Sequence, residues 1–289
     1  MSSWADIFCH NAVEIFSNGI LRDIRQDFGQ GQRAEYEMRE SVAKHFIGKP
    51  EEALLEATHH HSYCVMRKKA YRAIKFMLSR QERQEDSLLV DLGCGFGWHW
   101  VDIAKIFPSI RFLMIDFSMA NLLLCRSLMP FKDYPNVLCL HTDIMDIPLN
   151  ERICDFCWSV QALQHLPPVK RIAVFKEIVR IQKSDAGLYI AWLHSTPLLK
   201  LIYFVFGKNY HLKGEIKGGG MFLQRFDEEI ESELKSLFTG YHLEYSETLF
   251  HPELKLISHN SLIGYADIIL GETFIAQLVA RQVEIWGRC

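Results

Sequence analysis

The sequence predicts an α/β protein built on a doubly wound, mostly parallel sheet of seven strands behind a helical N-terminal cover. Three observations predict it. From Ser87 onward, short apolar runs alternate with segments of helical periodicity, the pattern of βαβ units joined by right-handed crossovers. The first of those runs ends in Gly93-Cys94-Gly95-Phe96-Gly97, a turn that opens a helix. Before Ser87, strand runs are absent and helix-favouring residues dominate.

Taken in order, residues 1–86 read as the cover. Apolar residues recur at helical spacing in 5–16 and 65–78, the polar stretch 26–40 lies between them, and polar residues 79–86 close the region. Residues 88–92 read as the first strand and 98–106 as the helix after the turn. Strands at 111–115, 137–141, 153–160 and 188–192 then alternate with helices at 119–129 and 169–181. Residues 195–225 interrupt the alternation with an apolar stretch, 198–206, and three consecutive glycines, Gly218 to Gly220. A helix over 227–238 leads to the last two strands, 241–249 and 274–283, with 251–271 unassigned between them. The predicted organisation is thus a cover over 1–86 and a sheet domain over 87–289 carrying a lid insertion at about 195–225.

Composition narrows the function. With 289 residues, 49% of them hydrophobic and 23% charged, the chain can bury enough surface to fold, which excludes disorder. The longest apolar run, 186–193, falls well short of the ~20 residues of a membrane span. A net charge of -3 leaves no electrostatic footprint for nucleic acid. The eight cysteines are scattered, and residues 1–8 lack a basic start followed by an apolar core, so free thiols in a cytoplasmic protein are expected. Cys154 and Cys157 share C-x-x-C spacing within a strand. Residues three apart on a strand face opposite sides, so the reading is two buried structural thiols and no metal.

The glycine turn and its flanks carry the chemistry. Asp91 stands two residues before Gly93, and the spacing is G-x-G-x-G. Trp98 takes the place of the third glycine of the dinucleotide pattern, where it would crowd a pyrophosphate. Glycines let a ligand approach the backbone, and the helix start offers free N–H groups. Asp116 ends the second strand, Asp143 follows the third, and Asp155-Phe156-Cys157-Trp158-Ser159-Val160-Gln161-Ala162-Leu163-Gln164-His165-Leu166 runs through the fourth. In this order the motifs resemble those of class I S-adenosylmethionine-dependent methyltransferases, closely over 88–192 and more loosely over 226–283. The resemblance implies the Rossmann-like methyltransferase fold and S-adenosyl-L-methionine as cofactor. It implies that Asp91, Gly93, Cys94, Gly95 and Gly97 surround that cofactor. Asp116 would accept both ribose hydroxyls, as one carboxylate can. Asp143 would meet the adenine amino group and the N–H of Ile144 a ring nitrogen, with Phe117, Ser159 and Gln161 completing the set. Arg67 and Tyr63, on a helix before the sheet, are candidates for the carboxylate of the amino-acid end, which an arginine can pair with two hydrogen bonds. Arg67 otherwise belongs with Lys68, Lys69, Arg72 and Lys75 to a solvated helix face.

A sulfonium activates the methyl group, so the implied reaction is an in-line displacement for which the protein supplies position and dryness. A base is needed only where the acceptor is a hydroxyl or a protonated amine. His165, just past the fourth strand, is the first candidate and His194, after the fifth, the second, because ligands of open α/β sheets bind beyond the carboxyl ends of the strands. His165 can equally orient the loop before Pro167-Pro168. The insertion reads as a lid with an apolar inner face, as an ordinary core helix, or as a peripheral membrane contact. The main expectation is methyl transfer to an oxygen or nitrogen of a small hydrophobic or aromatic molecule. Two alternatives stay open. Gln164-His165-Leu166, Arg171 and the stretches 177–181 and 190–192 loosely resemble enzymes that methylate wobble uridines of tRNA, against which stand the negative charge and the lack of a basic tail. A non-catalytic S-adenosylmethionine-binding module is opposed by the intact Asp91, Gly93, Gly95, Asp116 and Asp143.

Overall fold

The computed structural model describes residues 4–17, 19–26, 33–60, 63–80, 87–216, 221–238, 240–248, 266–267 and 269–288. After a 3-10 turn (Trp4–Ile7) come β1 (Val13–Ser17) and β2 (Ile20–Asp23), then helices α1 (Arg33–Phe46), α2 (Pro50–His60) and α3 (Tyr63–Arg80). The alternating part holds β3 (Ser87–Leu92), α4 (Val101–Ile106), β4 (Ile110–Asp116), α5 (Met119–Leu128), β5 (Val137–His141), β6 (Cys154–Val160), α6 (Pro168–Ile181) and β7 (Gln182–Leu193). It is followed by α7 (Pro197–Val205), β8 (Lys213–Glu215), β9 (Phe222–Gln224), α8 (Glu228–Leu237), β10 (Gly240–Ser246), α9 (Phe274–Val279) and β11 (Gln282–Arg288).

Among the described residues nine strands form one sheet, in the order β1-β2-β5-β4-β3-β6-β7-β11-β10. The pairings from β2 across to β7 are parallel, and β1, β11 and β10 pair antiparallel. The chain moves outward from β3 to β5, then restarts on the other side of β3 with β6. Strand order therefore reverses beside β3, the position where open α/β sheets hold their ligands. The pleat sends Leu88, Val90 and Leu92 to one face, against Val174, Phe175 and Ile178 of α6 and Ile230 and Leu234 of α8. It sends Leu89, Phe112, Met114 and Trp158 to the other, against Ala70, Ala73, Ile74 and Met77 of α3. With both faces covered, every residue of β3 is buried. This is the doubly wound α/β architecture that the alternation predicts.

The differences have local causes. The sheet has nine strands instead of seven because the region expected to be a helical cover, 1–86, supplies β1 and β2. The apparent helical spacing of 5–16 yields to a hairpin around Gly19, whose φ is +75°. β2 pairs parallel with β5, with Ile20 opposite Cys139, and the buried Arg126 guanidinium fastens the hairpin by donating to Gly19 O (3.0 Å), Met129 O (3.1 Å) and Val137 O (2.5 Å). The expected strand 274–283 is split. Residues 274–279 close as a helical turn, in which the Ala280 N–H bonds Ala276 O at 2.9 Å, and pairing with β7 begins only at Gln282. In α7 only Leu199 and Tyr203, four residues apart, turn inward, so the apolar face expected inside a lid points to solvent. Gly218 to Gly220 and most of 251–271 lie outside the described residues. Cys154 and Cys157, expected on opposite faces, are on the same one with their sulfurs 3.6 Å apart. A register shift between Cys154 and Phe156 re-phases the strand there. Lys69, expected on a solvated face, sits between Glu244 (2.8 Å) and Glu284 (2.7 Å) and ties α3 to β10 and β11.

Candidate functional site

The turn after β3 is built from left-handed main-chain geometry that glycine adopts at the least cost. Gly93, Gly95 and Gly97 have φ of +70°, +55° and +67°. A Cβ on Gly93 would stand 2.5 Å from the Ala162 Cβ, whereas one on Gly95 would meet nothing within 4 Å. The turn is lashed to the end of β4, since the Gly93 and Cys94 N–H groups both donate to Ile115 O at 2.9 Å and Gly95 N–H donates to Asp116 Oδ2 at 2.8 Å. The Cys94 thiol is buried and donates to Gly95 O.

Two buried carboxyls flank this turn. Asp91, 1% exposed, takes the Trp100 indole N–H on Oδ2 at 2.8 Å, while its Oδ1 is buried without a partner. Burial pushes its pKa up to about 8, with the Asp116 charge adding to the rise and the Trp100 bond opposing it. Asp116 also accepts from Ser118 N (2.8 Å) and Asn121 Nδ2 (3.2 Å), and burial outweighs these bonds to hold it at about 6. Phe117, half-buried, offers its carbonyl to His141 Nε2 at 2.9 Å.

Asp143 and Ile144 lie in the loop after β5. Asp143 Oδ1 accepts from Met145 N at 3.0 Å, its N–H donates to Gln26 Oε1 at 2.8 Å, and burial raises its pKa. The Ser159 hydroxyl is committed to Leu92 O at 2.9 Å, a strap between β6 and β3. Gln161, at the carboxyl end of β6, is left-handed at φ +53°, and its side-chain Nε2 is buried without a partner. Arg67 is drawn to Asp102 on α4 at 2.6 Å instead of towards the turn. Tyr63 opens α3, but its side chain lies outside the described residues.

The two histidines differ in setting. His165 donates Nδ1–H to Phe222 O of β9 at 3.0 Å. The Gln164 amide, anchored by Leu193 N on its Oε1, presents Nε2 to His165 Nε2 at 3.3 Å. These bonds assign a neutral imidazole with its lone pair on Nε2. Burial, helped by the Arg39 charge, lowers its pKa to about 3. His194 packs 5.1 Å from the Tyr245 ring and bonds Ala280 O through Nδ1 at 3.3 Å, and burial lowers it to about 4.

Four residues here escaped the sequence reading. Arg39 of α1 reaches Met221 Sδ at 3.8 Å, and its charge lowers the pKa of both Asp116 and His165. Glu40, next in the same helix, caps α5 by accepting from Ser118 Oγ (2.8 Å) and Ala120 N (3.1 Å). Asp23, the last residue of β2, and Gln26 just beyond it brace Thr142 and Asp143. Nothing in the polar stretch 26–40 marks Arg39 or Glu40. Asn18-Gly19, between apolar runs, is a hairpin signal that points to a strand just before Asp23.

A glycine turn between two acids, at the reversal point of a parallel sheet, is the architecture of the class I S-adenosylmethionine-dependent methyltransferases. Residues 89–185 match the model of the methyltransferase domain family. An uncharacterized protein of Methanocaldococcus jannaschii is 28% identical over 147 residues, which span 51% of this chain and 59% of that protein. Two solved methyltransferases share the fold. One from Archaeoglobus fulgidus is 15% identical, with 82% of this chain and 99% of that one covered at a TM-score of 0.53. One from Thermotoga maritima is 18% identical, with 86% and 98% covered at a TM-score of 0.53.

Proposed function

We propose that the chain is an enzyme that moves the methyl group of S-adenosyl-L-methionine to an oxygen or nitrogen of a small hydrophobic or aromatic molecule. One observation carries the reading. Asp91, next to last in β3, and Asp116, last in β4, lie in neighbouring strands beside a left-handed glycine turn, Asp91 Oδ1 lacks a partner, and the space above Gly95 is open. These features suit a ligand with a cationic amino-acid end and a ribose. Asp91 would take the ammonium, Asp116 the ribose hydroxyls, and Asp143 with the Ile144 N–H the adenine edge. When bound, the cofactor supplies a methyl group already activated by the sulfonium.

The chain's own part is position and dryness. Arg39 and Glu40 bring α1 to Met221, just before β9, and to the start of α5. His165 Nε2 would accept the acceptor's O–H or N–H in place of the Gln164 amide that donates to it in the free protein and so orient the heavy atom, and its low pKa suits orientation better than storage of a proton. His194 is the second candidate for that role. A reducing, cytoplasmic setting fits the six described cysteines, all of them free. Among the described residues no helix is long and apolar enough to cross a membrane. The test is calorimetric titration with S-adenosyl-L-methionine followed by labelled-methyl transfer to extract fractions separated as apolar molecules, polar molecules, RNA and protein. Label confined to RNA or protein would sink the small-molecule reading, and absence of binding would sink the enzyme.

A further inference from the structure

Half of the large apolar side chains exposed among the described residues, ten of twenty, lie in two short stretches, 198–212 and 269–278. The stretches belong together. α7 packs against α9, and the Thr196 hydroxyl that caps α7 donates to Leu278 O of α9 at 2.6 Å. The resulting face presents Leu201, Phe204 (78% exposed) and Val205 (69%) from one helix and Phe274 (70%), Ile275 and Leu278 from the other. An apolar face of this kind on a folded chain marks a contact surface. Its charges say what it meets. Residues 194–212 contain Lys200 and Lys208 and no aspartate or glutamate, in a chain whose net charge is -3. Both lysines are exposed beside the apolar side chains. The second stretch adds one acid, the exposed Glu272 before α9, so the face carries two cations to one anion. Aromatic and aliphatic side chains with a surplus of cations are the chemistry of a helix that lies in the interface of an anionic bilayer.

We propose that α7 and α9 form a docking face for an anionic lipid surface. Phe204, Val205 and Phe274 enter the headgroup boundary while Lys200 and Lys208 meet lipid phosphates. α7 begins at the carboxyl end of β7, so the docked face lies at the end of the sheet that carries the glycine turn.

The experiment is co-sedimentation of the full chain with vesicles of phosphatidylcholine alone and of phosphatidylcholine mixed with phosphatidylglycerol, beside light scattering without lipid. The expected result is a monomer that partitions roughly tenfold or more strongly onto the anionic vesicles, the effect of two cations near such a surface. Phe204→Ser with Phe274→Ser should abolish partition, and Lys200→Glu with Lys208→Glu should remove the preference for anionic lipid, both with unchanged affinity for S-adenosyl-L-methionine. Absence of partition, equal partition onto both vesicles, or partition that survives the double serine variant overturns the proposal. So does a dimer that Phe204→Ser with Phe274→Ser dissociates, since a second copy would then cover the face.

Discussion

The Trp100 indole N–H reaches Asp91 Oδ2 at 2.8 Å and leaves Oδ1 of the same buried carboxyl without a partner. One oxygen is fixed by the helix after the glycine turn, and the other waits for a donor. With its pKa near 8, Asp91 is protonated at pH 7 in the free protein. A cationic ligand selects the ionised form, so binding of S-adenosyl-L-methionine at pH 7 should release up to one proton. Calorimetry in buffers of different ionisation enthalpy measures this directly. A binding heat independent of buffer would remove Asp91 from the site.

Asp116 makes the opposite pH demand. Its carboxylate must be ionised to accept ribose hydroxyls, so cofactor affinity should fall as pH drops below about 6. Asp116→Ala should weaken binding by roughly tenfold or more, since a hydrogen bond to a charged group is worth about 1.5–3 kcal/mol. Arg39 lowers the Asp116 pKa, so in Arg39→Gln the fall should begin at higher pH. Unchanged binding in Asp116→Ala would end the ribose assignment.

Gly93→Ala should destabilise the fold. The left-handed φ costs a residue with a Cβ about 1–2 kcal/mol, and the new methyl would overlap Ala162 at 2.5 Å. Ala162→Gly in the same chain should recover the overlap but not the backbone strain. Thermal unfolding of the two single variants and the double variant separates the two parts, and strictly additive losses would show that no clash exists.

His99 offers a pH dependence with a clear sign. Both its ring nitrogens are buried without partners beside Trp98 and Trp158, and burial lowers its pKa to about 3. The unfolded chain binds a proton at His99 below pH 6.5 and the folded chain does not. The contribution is therefore intact above pH 6.5 and lost as pH falls toward 3, at up to about 1.4 kcal/mol per pH unit. The raised pKa values of Asp91 and Asp116 act the other way, losing stability as pH rises. The readout is thus a difference between chains. His99→Phe should unfold in denaturant with less loss between pH 6.5 and 4 than the parent, and parallel curves would contradict the prediction.

Much of this was legible in the sequence wherever a local rule governs. The pleat rule assigns Leu88, Leu89 and Val90 to alternate faces, and the G-x-G-x-G spacing places three left-handed residues. The acids at 91, 116 and 143 lie at or just past the carboxyl ends of strands. What escaped depends on contacts distant in the chain. Arg39 and Glu40 matter only because α1 returns to Met221 and Ser118. The segment 274–279 is apolar without a decisive period, and its helix is settled by packing on α7. Cys154 and Cys157 share a face because a register shift against β7 breaks the alternation, and no property of the two residues announces it.

The N-terminal hairpin has a consequence for how the chain is made. All five residues of β5 are buried, yet the strand on its outer side comes from residues 20–23, and Asp23 and Thr142 meet across 119 positions of sequence. During synthesis the hairpin must wait for more than a hundred further residues before it has an edge to join. Until it docks, β5 is a bare apolar border open to any other strand. The short, bulged β1, with Glu14 exposed, then closes that border with an edge that resists further pairing. Residues 13–23 thus act as a late-arriving hem, and a chain shorn of them should aggregate before it fails to bind its cofactor.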